Sequence, residues 1–255
     1  MAQQITLQRY MKALLAGDRK DCRVVIEESL KTGIPANRVY MDILWPVMVE
    51  IDNLWRGDKI NSAQESMATR INRTLVDQLQ NKLPRRETRN KRIVVCSGPQ
   101  ESGELGAQMT ADLFESDGWE VRFLGGGTCN DDILTFVHEY QPEILLIYGA
   151  TPKCAPNVRQ LIDTVRSINA WPDMKIMLSG GVFNRAEGLW DEIGADLFAA
   201  TAAEAVVIAS RDTAEQLAVH EPKTINIRKK TLHKQPTTKS YVAKAPSRKL
   251  VAAGN

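Results

Sequence analysis

The feature that most constrains the fold is a short apolar run that passes through a glycine-rich turn into a helical pattern. Val94–Cys96 has the length and composition of a buried strand, and Leu105, Met109 and Leu113 then recur at helical spacing. Three glycines lie along the turn and the start of the helix, at Gly98, Gly103 and Gly106. Glycine lets the backbone pass close to a ligand or a neighbouring strand, and a helix N-terminus attracts anionic groups. The stretch predicts the first half of a βαβ unit, with a turn that serves either a ligand or tight packing.

The chain beyond residue 91 repeats this alternation of strand and helix. Between helical patterns lie five short apolar runs, at 92–96, 119–124, 143–148, 174–178 and 195–199. This order predicts a doubly wound parallel sheet of five strands with right-handed crossovers. Ligands bind such sheets beyond the carboxyl ends of the strands. The loops at those ends are Ser97–Gly103, Gly125–Asn130, Tyr148–Lys153 and Ser179–Asn184.

Residues 1–84 carry four helical stripes of apolar residues instead. Gly17 and Gly33 end the first two stripes, and Asp18 has the position of the N-cap between them. Pro46 interrupts the third stripe and predicts a kink. Because short loops join the four helices, they are predicted to form an antiparallel bundle.

Two segments without an apolar face mark the predicted boundaries. The charged segment 82–91 separates the bundle from an α/β domain over 92–218, and the segment 219–255 is predicted to be a disordered tail. Residues 223–255 carry nine basic groups and no acidic group, whereas the rest of the chain, with 24 basic and 31 acidic groups, has a net charge of −7. The tail is either a solvated extension or a basic arm that binds nucleic acid, an acidic partner or the body itself.

The sequence lacks the signatures of several functional classes. It shows no N-terminal signal pattern and no run of about eighteen apolar residues, so a cytoplasmic protein without membrane contact is expected. The four cysteines form no Cys-x-x-Cys pair and have no histidine at zinc spacing, which predicts reduced thiols and no metal centre. No Ser-His-Asp, Walker or zinc-hydrolase signature indicates independent catalysis. An oligomer remains possible.

A four-helix bundle followed directly by a five-stranded flavodoxin-like domain resembles the cobalamin-binding module of corrinoid methyl carriers, methionine synthase and light-responsive cobalamin-dependent repressors. The family's Asp-x-His-x-x-Gly turn corresponds to residues 101–106, and its Ser-x-Leu/Thr element to residues 148–151. Its double glycine corresponds to Gly180 and Gly181. The resemblance covers roughly residues 5–217, and the ordered set of motifs is more specific than any one of them.

The bundle carries a further match to the family. The chain departs from the family at two histidine positions, which are occupied by Gly103 and Ser66. The repressors' signature of Trp, nine residues and Glu-His corresponds to Trp55, nine residues, Glu65 and Ser66. In the family, the turn histidine coordinates cobalt and displaces the dimethylbenzimidazole base into a channel beside the sheet, but Gly103 stands there and has no ligating atom. The resemblance therefore implies adenosylcobalamin or methylcobalamin bound base-on, without a histidine ligand. Haem or a bilin held by shape is the alternative.

The predicted cofactor-binding positions combine the carboxyl-end loops with the positions matched to the family. They are Trp55, Glu65, Ser66, Ser97, Glu101, Gly103, Leu105, Gly106, Gly125, Tyr148, Gly149, Thr151, Ser179, Gly180 and Gly181. Three of these predictions have structural alternatives. Trp55 could belong to the bundle core, Glu65 has capping-box spacing to Ser62, and the paired glycines could serve only a tight turn.

Two functions of different classes follow from the resemblance. The favoured one is a sensory or regulatory module, such as a photoreceptor, that binds a cobalamin or related tetrapyrrole between bundle and sheet. It would signal to a regulatory protein partner, or to nucleic acid through the basic tail. The alternative is a corrinoid methyl-carrier subunit of a methyltransferase system, and a ligand-free interaction scaffold is a third possibility.

Overall fold

The computed structural model describes residues 2–98 and 104–211. The predicted ligand positions Glu101 and Gly103, and the predicted disordered tail with its proposed partners, lie outside the described residues. Bundle and sheet belong to one compact unit and are described together. The predicted division into domains over 1–84 and 92–218 stays a prediction.

The N-terminal part forms the predicted helical bundle. Its elements are α1 (Ala2–Leu15), α2 (Arg19–Lys31), α3 (Ala36–Val39), a π-helical segment (Tyr40–Leu44), α4 (Trp45–Arg56) and α5 (Ser62–Gln80). Asp18 caps α2 as predicted, because its carboxylate accepts the backbone N–H groups of Lys20 and Asp21.

The capping box of α5 begins one residue earlier than predicted. The Asn61 side chain accepts the backbone N–H of Gln64, and the Gln64 side chain accepts the backbone N–H of Asn61. The prediction of a box at Ser62 and Glu65 is therefore wrong. Asparagine is as good an N-cap as serine, and glutamine closes the box as well as glutamate.

The helix between residues 36 and 56 changes its hydrogen-bond pattern where the sequence predicts an interruption. Within the π-helical segment, the backbone N–H of Trp45 donates to the carbonyl of Tyr40, five residues back. Pro46 follows directly and has no N–H to donate. The break in the ladder is therefore accommodated by a single wide turn, after which α4 continues.

Five parallel strands form the sheet in the order β2-β1-β3-β4-β5. They are β1 (Arg92–Ser97), β2 (Glu120–Gly125), β3 (Ile144–Tyr148), β4 (Lys175–Ser179) and β5 (Leu197–Ala199). The helices are α6 (Leu105–Ser116), α7 (Asn130–Tyr140), α8 (Ala155–Ile168), α9 (Gly181–Arg185), α10 (Leu189–Glu192) and α11 (Ala202–Ser210), with a 3₁₀ turn at Pro152–Cys154. This strand order is the flavodoxin-like one and confirms the predicted fold class. Within the described ranges, no helix has both the length and the apolar character needed to cross a membrane.

Helix α6 is the centre of the main hydrophobic core. Nine of its twelve residues are buried, because the sheet lies on one side of it and α5 and α11 pack on others. The face of β1 that carries Ile93 and Val95 belongs to this core, together with the buried residues of the bundle. The opposite face, with Val94 and Cys96, packs against α7 and α8. The bundle and one face of the sheet therefore share a single core.

The charged segment between α5 and β1 is tied to the end of α6. The carboxylate of Asp117 is almost fully buried and accepts from the guanidinium groups of Arg86 at 2.6 Å and Arg89 at 2.8 Å. The Ser210 hydroxyl of α11 donates to the same carboxylate oxygen that Arg89 contacts, at 2.9 Å. One acidic side chain thus fixes the connecting segment, α6 and α11 together.

A second buried carboxylate links the bundle to α6. The Tyr40 hydroxyl lies 2.9 Å from the carbonyl oxygen of Val76 and 3.0 Å from the carboxylate of Asp112. One hydroxyl proton serves both acceptors while Asp112 is ionised, whereas a protonated Asp112 could donate to the tyrosine oxygen. Burial raises the pKa of Asp112 from its ordinary 3.8 to about 6, although the bond from Tyr40 opposes this rise.

We expect this contact to make stability depend on pH. Between pH 4 and 6 the folded protein keeps a proton on Asp112 that the unfolded chain releases, so the free energy of unfolding falls as the pH rises. Above pH 7 the ionised Asp112 lowers the free energy of unfolding by roughly 3 kcal/mol. Asp112→Asn should remove this loss, because the uncharged amide donates a hydrogen bond as the protonated acid does. Urea unfolding from pH 4 to 7.5 would measure it, with exposed Asp163→Asn as the control. Parallel pH profiles for Asp112→Asn and the wild type would contradict this assignment.

Candidate ligand-binding site at the carboxyl edge of the sheet

The carboxyl ends of four strands place one row of side chains in register. Ser97, Tyr148, Ser179 and Ala199 are successive partners across β1, β3, β4 and β5. All four are buried. Because side chains alternate along a strand, they lie on the face that α6 covers. The structure thus brings together three predicted ligand positions that are distant in sequence.

The two serines of this row differ in their hydrogen bonds. The Ser179 hydroxyl donates to the carbonyl of Ala199 at 2.8 Å. The Ser97 hydroxyl is fully buried and has no hydrogen-bond partner among the described residues. An unpaired buried hydroxyl costs about 1–3 kcal/mol, so this oxygen is available to a polar ligand group.

Tyr148 fills the space between the end of β3 and the start of α6. A β-carbon built at Gly106 would overlap the hydroxyl and ring of Tyr148. Only about 5% of Tyr148 is exposed. The absence of a side chain at Gly106 is therefore explained by the tyrosine, which occupies the place that a ligand on this face of the sheet would need.

Side chains of the protein also fill the space beside two neighbouring glycines of this edge, Gly98 and Gly149. A β-carbon built at Gly98 would lie 2.7 Å from the Cβ of Cys154, and one at Gly149 would lie 2.9 Å from its sulfur. The ring of Phe183 lies 2.8 Å from that second position. These loops are packed against one another, and Gly149 contacts protein where a ligand contact was predicted.

The double glycine after β4 also serves internal packing. Gly180 has φ +106°, which side chains rarely adopt, and a β-carbon there would overlap the backbone of Gly149. At Gly181 the added atom would lie 2.5 Å from the Arg185 guanidinium. The Gly180 geometry favours the tight-turn alternative over close approach to a ligand, whereas at Gly181 the neighbour is the flexible end of Arg185 and decides nothing.

Arg185 connects the carboxyl edge to the bundle. Its guanidinium donates to the carbonyl of Ala150 at 2.8 Å and to the Asp52 carboxylate of α4 at 3.0 Å. Trp55 lies one turn beyond Asp52 on the same helix and is 40% exposed. The alternative that Trp55 belongs to the bundle core is therefore wrong, and its ring is accessible near the edge.

Glu104 forms a second connection, between α5 and the loop after β2. One of its oxygens lies 2.9 Å from the Arg73 guanidinium of α5, and the other accepts the backbone N–H of Gly126 at 2.8 Å. A β-carbon at Gly125 would lie 2.8 Å from the second oxygen. No local pattern predicts this contact, because its partners are some twenty to thirty residues away in sequence.

The remaining predicted positions are spread around the edge. Leu105 is buried in the main core, and Thr151 precedes the 3₁₀ turn, where its carbonyl accepts the thiol of Cys154. Glu65 accepts the hydroxyl of Thr69 at 3.0 Å, and Ser66 is exposed on α5.

Among the residues that the structure describes, no group of His, Cys, Asp and Glu could hold a metal ion.

Comparison with known proteins assigns the two halves of the chain to one family. Two family models, both described as a B12 binding domain, match residues 6–80 and 91–209. The chain belongs to the B12-binding family. This confirms the resemblance to the cobalamin-binding module, whereas special closeness to its light-responsive members finds no support. A comparison with curated protein sequences gave no match.

One solved structure shares the fold of this B12-binding chain, and two others align with lower TM-scores. The monomethylamine corrinoid protein of Methanosarcina barkeri aligns with TM-score 0.74 and 17% identity, over 81% of this chain and 97% of that one. A cobalamin-binding protein from Desulfitobacterium hafniense DCB-2 aligns with TM-score 0.46 and 20% identity, over 80% and 97%. The methanol:cobalamin methyltransferase complex of M. barkeri aligns with TM-score 0.44 and 15% identity, over 84% and 80%.

The carboxyl edge of this B12-binding chain fits a corrinoid that stays outside the sheet. The unpartnered hydroxyl of Ser97 suits a polar ligand group, and Trp55 offers an accessible ring on the bundle side. The Tyr148 ring, however, takes the space beside α6. The described residues thus fit a ligand above the edge and leave no room for one inserted along this face.

Gly180→Ala tests whether that glycine serves the fold itself. The substitution combines an unfavourable φ with overlap against the Gly149 backbone, so it should lower the free energy of unfolding by at least ~2 kcal/mol more than Gly188→Ala. Gly188 is the matched control, since it has φ +80° but nothing within 4 Å of the added carbon. Chemical denaturation of both variants would measure the difference. Equal losses would show that packing against Gly149 is not what requires a glycine.

Proposed function

We propose that this chain holds a corrinoid between the helical bundle and the carboxyl edge and serves as the corrinoid-carrying subunit of a methyltransferase system. The observation that carries the proposal is the row of Ser97, Tyr148 and Ser179 at the edge of a B12-binding domain, in which the buried Ser97 hydroxyl has no partner among the described residues. When bound, a corrinoid supplies a cobalt centre that accepts and releases a methyl group. The partner in this proposal is the enzyme that uses that group.

The carrier role is preferred here to the sensory role that the sequence favoured. The fold match with TM-score 0.74 is named a corrinoid protein, and its likeness to this chain concerns the fold. The spacing of Trp55, Glu65 and Ser66 is what still supports a sensor. Illumination of the corrinoid-loaded protein separates the two roles, because a photoreceptor would change its oligomeric state or partner binding in light.

Two features of the chain support a base-on corrinoid. Gly103, which follows β1 in the sequence, has no side-chain atom that could ligate cobalt. Tyr148, packed on Gly106, occupies the face along which a displaced base would have to lie. In this proposal Tyr148 keeps the nucleotide base outside the sheet, Ser97 donates to a polar group of the ligand, and Trp55 covers it from the bundle.

Reconstitution with methylcobalamin tests this arrangement. A visible spectrum identifies the bound tetrapyrrole, and haem or a bilin would be recognised by its own absorption. After anaerobic photolysis, which breaks the Co–C bond and leaves Co(II) while a methyl radical departs, electron paramagnetic resonance should show coupling to a benzimidazole nitrogen, and this coupling should be lost with cobinamide, which lacks the base. Coupling that changes when the protein is labelled with ¹⁵N-histidine would contradict base-on binding.

The two serines of the row provide a matched pair of variants. Ser97→Ala removes an unpaired buried hydroxyl, so the ligand-free protein should keep or gain stability while its affinity for methylcobalamin falls roughly tenfold. Ser179→Ala breaks an internal hydrogen bond and should cost about 1 kcal/mol of stability with a smaller effect on affinity. Thermal unfolding and equilibrium titration measure both. Unchanged affinity in Ser97→Ala would remove Ser97 from the site.

A further inference from the structure

A groove of about 780 Å³ runs along α5 beside the turn between α1 and α2. Its floor is apolar, with Met67 packed on Gly17 and the buried Ile71. Three arginines and one acidic residue line it, and they are Arg19, Arg70, Arg73 and Asp77. The groove is therefore a positively charged surface over an apolar floor.

Two of these charges are already compensated within the protein. Arg73 pairs with Glu104 at 2.9 Å, and the Asp77 carboxylate accepts the side-chain amide of Gln108 at 2.7 Å. The side chains of Arg19 and Arg70 form no ion pair or hydrogen bond within the described part of the chain. Most other described arginines do pair with a carboxylate, as Arg38 does with Asp42 at 2.8 Å. Arg19 of α2 and Arg70 of α5 are two arginines without such a pair within the described residues, and both line this groove.

The spacing along α5 adds to the charge of this surface. Arg70 and Arg73 are three residues apart, so they are neighbours on the helix and repel each other. Ser66 lies one turn before Arg70, is exposed and also lines the groove. Because Arg73 is paired with Glu104, Arg70 is the groove-lining arginine of α5 that has no partner within the described residues, and an anion between Arg19 and Arg70 would compensate both charges.

We propose that this groove binds a small anionic ligand that combines an apolar body with a carboxylate or phosphate group. Guanidinium groups bind both oxyanions through two parallel hydrogen bonds, and the Ser66 hydroxyl can donate a further one. The apolar body would lie on Met67 and Ile71. Corrinoid binding at the carboxyl edge is not required for this site.

The proposal is tested with three aromatic probes on the full chain. Phthalate carries carboxylates, phenyl phosphate carries a phosphate, and benzamide is uncharged. Chemical-shift titration of the ¹⁵N-labelled protein should detect binding of at least one anion, weakened by added salt, and no comparable binding of benzamide. The anion that binds more tightly identifies the chemical class of the ligand.

Variants assign the binding to the groove. Arg70→Gln and Arg19→Gln should each weaken the anion roughly tenfold. Arg38→Gln, an exposed arginine on α3 that is absent from the groove lining, is the matched control and should leave the affinity unchanged. The proposal is overturned if neither anion binds, if benzamide binds as tightly, or if Arg38→Gln weakens binding as much as Arg70→Gln.

Discussion

The structure depends on the burial of α6 from nearly every direction. A helix that contacts the sheet, a bundle helix and α11 keeps only three partly exposed residues, Gln108, Glu115 and Ser116, so its other residues must be apolar, small or individually paired. The buried Asp112, and Asp117 directly after the helix, meet this requirement through specific partners in other elements. Because one helix belongs to both layers, neither the bundle nor the sheet can bury its apolar face without the other.

The fold could be predicted because its signals are local and repeated. Five apolar runs alternate with helical patterns, and each strand of the sheet begins and ends within two residues of its predicted run. Asp18 was found from its position before an apolar stripe, and the break near Pro46 from the missing N–H. The capping box was displaced by one residue because Asn61-Gln64 and Ser62-Glu65 have equal spacing, and only the backbone geometry distinguishes them.

The site was harder to predict because the sequence does not show which atoms lie beside a glycine. Gly106, Gly149 and Gly180 attracted a ligand interpretation from their place at the carboxyl edge, but the atoms that exclude a side chain there belong to Tyr148, Phe183 and the backbone of Gly149 itself. Contacts such as Arg185 with Asp52 join residues 133 positions apart, which no periodicity encodes. The row of strand ends, by contrast, followed directly from the predicted sheet.

The π-helical segment has a consequence for how the chain tolerates changes in length. A wide turn contains one residue more than an α-helix needs, so deleting a single residue between Tyr40 and Leu44 would leave the α-helical repeat without its wide turn, although Pro46 would still lack an N–H to donate. The two ends of the helix would then be rotated by about 100° relative to each other. With α4 held by the bond between Asp52 and Arg185, Tyr40 would turn away from Asp112. The wide turn thus fixes the rotation of Tyr40 relative to α4. With this rotation, Tyr40 contacts α6 while Asp52 contacts Arg185 at the edge of the sheet.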